Sequence, residues 1–161
     1  MNKMAAKIVV EAIVYSLVYS VFMLGLFKVQ GARKQLYNYP PAIERGITTQ
    51  EEMNANAKRN KVIGLIGMIV LSIVITCGVN KQYTFGAGFI QSYIFFNAFS
   101  LFDALVIDSI WFCHGTWWVI PGTEDMTEAY HDYAFHWKWF FLSLVMSLPL
   151  AVIVGGIVAL I

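Results

Sequence analysis

Apolar residues fall in four long blocks, residues 8–29, 62–79, 85–112 and 139–161, separated by polar connections. Each block approaches or exceeds the run of about 20 apolar residues that carries an α-helix across a bilayer core. The pattern predicts an all-α integral membrane protein, a four-transmembrane-helix bundle. One membrane domain would span residues 1–161, with inner loops at 30–61 and 113–138 and a helical cytoplasmic segment between helices 3 and 4.

Lys3 and Lys7 before the first block raise the alternative of a secretory signal. Its apolar core is longer than the usual signal core of about 7–15 residues, and "FKVQGARK" is a weak cleavage site, so a permanent helix is expected. In the first loop, the paired prolines of "YNYPPAIERG" cannot continue a helix. The following "ITTQEEMNANAKRNK" fits a capping box, Thr48 with Glu51 or Thr49 with Glu52, so a polar helix should run straight into the second span. The connection "NKQYT" leaves room only for a turn.

Small residues mark helix contacts, because close backbone approach replaces the hydrophobic drive that lipid removes. In the fourth span Ser143, Ser147, Ala151, Gly155 and Ala159 recur every fourth residue and should face another helix. His136, seven residues before Ser143, falls on nearly the same face. Gly64, Gly67, Leu71 and Gly78 form a comparable stripe in the second span.

Composition agrees with the pattern: of 161 residues 58% are hydrophobic and 13% charged, against about 25% charged in soluble domains. A net charge of +1 makes no case for nucleic acid. Seven of the eleven basic residues lie between Lys28 and Lys61, which predicts cytoplasmic long loops and both termini outside, in an inner or plasma membrane. The expected partners are membrane lipids, a lipidic or small-molecule ligand, and further copies of the chain as a homodimer or higher oligomer. Cys77 and Cys113 should lie near opposite faces, too far apart to bridge.

Candidate chemistry concentrates in the second half. An ionised Asp near the bilayer centre costs roughly 2.5–3.5 kcal/mol on insertion scales, so Asp103 and Asp108 are read as functional and inward-facing. In an ideal α-helix they differ by about 140°, which places them in neighbouring clefts; Asp103 and His114 differ by about 20°. The stretch "IPGTEDMTEAYHDYAFHWKW" is read as a helix capped by Thr123 and continuous with the fourth span. It spaces Glu128 and His131 at i, i+3 and Asp132 and His136 at i, i+4, so each pair can meet on one face.

His114, Glu128, His131 and His136 form the candidate metal set, a mixed nitrogen and oxygen shell suited to Zn, Fe or Mn. The helical pair Glu-x-x-His occurs once, where carboxylate-bridged metal bundles use it twice. Facing histidines at one depth would also suit a haem. Asp103, Asp108 and His114 are the candidate catalytic groups. The five tryptophans, Trp111, Trp117, Trp118, Trp137 and Trp139, all flank the inner ends of the last two spans. An aromatic belt explains most of them, and Trp117 and Trp137 are the candidates for lining a cofactor or lipid pocket.

Three functions stay open. One is a membrane-embedded, metal-dependent or acid/base enzyme acting on a lipidic or amphipathic substrate. A second is a small proton- or cation-coupled transporter or channel using Asp103 and Asp108. The third is a structural subunit of a membrane complex. A solvated amphipathic loop at 113–138 is the plain alternative to a site there.

Overall fold

The computed structural model describes residues 3–44 and 49–161 and is all-helical there. Four helices are long and apolar enough to cross a membrane: Ala5–Gln30, Glu51–Val79, Phe85–Phe112 and Thr127–Leu160. The third matches its apolar block residue for residue. The second starts well before residue 62, as the polar sequence upstream predicts. Its N-cap is Thr49, whose side chain accepts from the Glu52 N–H at 3.2 Å. The alternative cap, Thr48, lies outside the described residues.

Within the four long helices, two of the described segments depart from α geometry. Val74–Val79 and Asp103–Phe112 are π-helical, with backbone bonds that reach five residues instead of four. Asn80 N–H accordingly donates to the Ile75 carbonyl at 2.9 Å, and the Ser109 hydroxyl to the Ala104 carbonyl at 2.6 Å.

The third and fourth helices pack through small residues. A Cβ built on Gly88 would lie 2.9 Å from Val158 Cβ and 3.0 Å from Gly155 Cα. Ser147, Ala151 and Gly155 are buried along this contact, whereas Ala159 at the end of the predicted stripe is exposed. Asn97 bridges the same pair by donating to Ser147 Oγ at 3.1 Å. Two glycines of the second helix's stripe face the first, the Tyr19 hydroxyl donating to the Gly64 carbonyl at 2.9 Å and Phe22 covering Gly67, whereas Gly78 is exposed.

The core divides in two. Near the chain termini, Tyr15, Tyr19, Phe95, Phe96, Val154 and Val158 pack between the helices. At the opposite end Leu36, Tyr39, Ile43, Phe112, Trp118 and Tyr130 build a second core from the two long loops. Cys77 belongs to the first core and Cys113 to the second, and both are free thiols.

The loop 113–138 is therefore a folded cap and not one helical extension. Thr123 is not a helix N-cap: its hydroxyl donates to the Ile120 carbonyl at 2.8 Å and lies 2.8 Å from the Tyr130 hydroxyl. Helix resumes for one turn, Thr127–Tyr130, and breaks before Tyr133–Leu160. Asp132 caps that last helix by accepting from the Phe135 N–H at 2.9 Å. The predicted i, i+4 pair does not form, because His136 Nδ1 is turned to Asp108 of the third helix, at 3.1 Å.

A candidate cavity at the loop end of the bundle

A cavity of about 330 Å³ lies beneath the cap. The first helix contributes Tyr19, Met23, Leu24 and Phe27; the first loop contributes Gln35, Tyr37, Asn38 and Tyr39; the second helix contributes Lys61. The third helix brings Phe99, Asp103, Ile107, Asp108 and Phe112. Trp118, Phe135, His136 and Trp139 complete the wall.

Asp103 and Asp108 line this one cavity and not separate clefts. The π-helical backbone from Asp103 onward is the reason: hydrogen bonds that span five residues bring the fifth residue back to nearly the same face. The 140° separation holds only for α geometry.

His136 reaches Asp108 from the fourth helix, Nδ1 to Oδ2 at 3.1 Å. Its ring is 4% exposed and is held edge-on by Phe112 and Phe135, at centroid distances of 5.0 and 5.3 Å. The contact orients the ring through Nδ1 and leaves Nε2 as the ring nitrogen without a bond. Nε2 is buried with no hydrogen-bond partner, and so is Trp118 Nε1. Buried polar atoms are almost always partnered, so two orphans among the side chains of one cavity wall stand out.

The predicted metal set does not assemble. Among the described residues no three His, Cys, Asp or Glu side chains form a group able to hold a metal ion. Gly115 turns the chain tightly after the third helix, its N–H bonded to the Trp111 carbonyl at 2.7 Å. This sends Phe112 and Cys113 inward and leaves His114 exposed. There His114 Nε2 lies 2.8 Å from the Tyr133 hydroxyl, and its ring is 5.1 Å from that of His131. His131 Nδ1 lies 2.7 Å from the Thr127 carbonyl, and Glu128 is exposed. Only His136 of the four lines the cavity. A haem held by His114 and His136 is also disfavoured, since one ring is exposed and the other sealed in the wall.

The tryptophans exchange roles with their neighbours. Trp118 and Trp139 line the cavity. Trp117 instead stacks on Trp111 at 5.2 Å, and Trp137 packs on Phe140 at 5.5 Å. The first-loop contribution from Gln35 to Tyr39 was missed by sequence reasoning. The density of amide and phenol groups in "QLYNY", beside a proline pair that stops the helix, was the available signal.

Cys113 sits behind this wall, and burial, then the carboxylates of Asp108 and Asp132, push its thiol up to about 11. The folded value lies above the ordinary one, so the thiol form contributes stability below pH 9 that is lost as pH rises toward 11. Maleimide labelling of Cys113 in a Cys77→Ser background is accordingly expected to be slow at pH 8 and to accelerate only in strongly alkaline buffer. Labelling at pH 8 as fast as that of an exposed thiol would contradict this burial.

Comparison with family models, with curated proteins and with solved structures finds no match to this chain.

Proposed function

We propose that the chain is an integral membrane protein whose loop-end cavity binds a small amphipathic molecule and performs acid/base chemistry on it. The observation that carries this reading is the Asp108–His136 pair in the cavity wall, with His136 Nε2 buried and unpartnered. A carboxylate that orients one imidazole nitrogen and frees the other is the arrangement that makes histidine a proton acceptor. The apolar and aromatic remainder of the wall suits an amphipathic body. The split of the predicted metal ligands favours acid/base over metal-dependent chemistry.

Seven basic residues between Lys28 and Lys61 support a cytoplasmic cavity mouth and external termini. A second reading, a proton- or cation-coupled carrier, is favoured by the presence of both Asp103 and Asp108 in one cavity.

The test is capture. Protein in lipid nanodiscs is loaded from a total membrane-lipid extract, and the retained small molecules are identified by mass spectrometry. The parent is expected to retain a stoichiometric amphiphile that His136→Gln and Asp108→Asn both lose while keeping the parent's circular dichroism. Equal retention by all three proteins, or by none, would reject the reading.

A further inference from the structure

Two carboxylates, Asp103 and Asp108, line the cavity against a single lysine, Lys61. Lys61 is exposed, and its Nζ lies 5.7 Å from the Tyr37 ring centroid, drawn toward the first loop. An anionic head seated beside the aspartates would meet acidic side chains on the third helix, whose ionised form it would oppose. A cationic head would meet two acidic side chains whose ionised form its own charge favours, in surroundings where Coulomb attraction is poorly screened.

The wall adds a second selective element. Tyr19, Phe27, Phe99, Phe112, Trp118 and Trp139 line the same cavity, and the faces of such rings attract cations through their quadrupoles. The third element is the acceptor character of the carboxyl oxygens of Asp103 and Asp108, which suits an ammonium group that still carries N–H donors, as a quaternary ammonium does not. A volume of about 330 Å³ is near the lower end of ligand clefts; it suits one ring or a short chain and is too small for a two-tailed lipid.

From these features we infer that the occupant is a hydrophobic primary or secondary ammonium ion, its charged nitrogen between Asp103 and Asp108 and its apolar body against the aromatic wall. The inference rests on the cavity being a binding site, and it names the ligand's charge class.

The experiment is calorimetric titration of nanodisc-embedded protein with 4-phenylbutylamine, the neutral 4-phenylbutanol and the anionic 4-phenylbutyrate, with empty nanodiscs subtracted for partitioning. The amine is expected to bind saturably at one site, at least tenfold tighter than the alcohol, with no saturable signal from the carboxylate. Asp103→Asn and Asp108→Asn should each weaken the amine at least tenfold while leaving the alcohol within about twofold. N,N,N-trimethyl-4-phenylbutylammonium should bind more weakly than the amine. Tighter binding of the alcohol or the carboxylate, no binding of the amine, or amine affinity unchanged in both variants would overturn the inference. Capture from lipid extract separates the two claims: a neutral or anionic amphiphile retained by the parent and lost in His136→Gln leaves a binding site standing and removes the cation.

Discussion

Tyr39→Ala is expected to destabilise the protein by about 3–5 kcal/mol, the range for removing a large aromatic from a filled core. Tyr39 is fully buried. Its hydroxyl donates to the Trp118 carbonyl at 2.9 Å, and its ring meets Phe112 edge-on at 5.0 Å. It is thus the member of the first loop that fastens the second, and both loops supply walls to the cavity. Burial first, and the neighbouring Tyr130 second, hold its phenol well above the ordinary value, so it stays a neutral donor. Tyr39→Phe keeps the ring and strands the carbonyl, at about 1–3 kcal/mol. Equilibrium unfolding in mixed detergent micelles measures both. An alanine variant within 1 kcal/mol of the parent would show that the cap does not depend on this residue.

The second large effect is expected from Gly88→Leu. A Cβ alone already meets Val158 and the Gly155 backbone at 2.9–3.0 Å, closer than side-chain contacts tolerate. Three further carbons must push the third and fourth helices apart, at a cost of about 3 kcal/mol, the upper part of the overpacking range. The separation would also pull His136 away from Asp108, since they sit on the two helices concerned. Reduced monodisperse yield and a lowered unfolding midpoint in the same micelles are the readouts. A fully stable Gly88→Leu protein would mean that this contact is looser than the close approach described above.

The four long apolar helices were legible because bilayer thickness would impose a length and a composition that few other environments require. The serine, alanine and glycine stripe was legible for a related reason: without a hydrophobic drive, only small side chains let backbones meet. It also placed His136 on the inward face, where it is found buried.

The site was only half legible. Asp103, Asp108 and His136 were all singled out, but their grouping depended on backbone register. Period counting presumes 3.6 residues per turn, and the segment Asp103–Phe112 does not keep it. His114 and His131 were drawn into the proposed centre by the same presumption of unbroken helix. The turn at Gly115 and the break before Tyr133 carry them to the surface. Trp118 and Trp117 are adjacent in sequence and opposite in fate, because residues in the short Thr116–Trp118 turn point in different directions. Contacts from the first loop, over 60 residues away in the chain, leave no periodic trace at all.

The π-helical register of the third helix also bears on how such a site could be kept as the chain changes. A five-residue hydrogen-bonded step differs from the ordinary four-residue step by one amino acid. A chain lacking one residue between Asp103 and Asp108 would have a span one shorter than the 28 residues of Phe85–Phe112, still ample for a bilayer. Its backbone could relax to α geometry with the acids four residues apart, about 40° around the helix and still on one face. A single-codon deletion there would then spare both the grouping of the acids and the length of the helix, so a π-helical step and an α-helical step one residue shorter are two ways of holding the same pair.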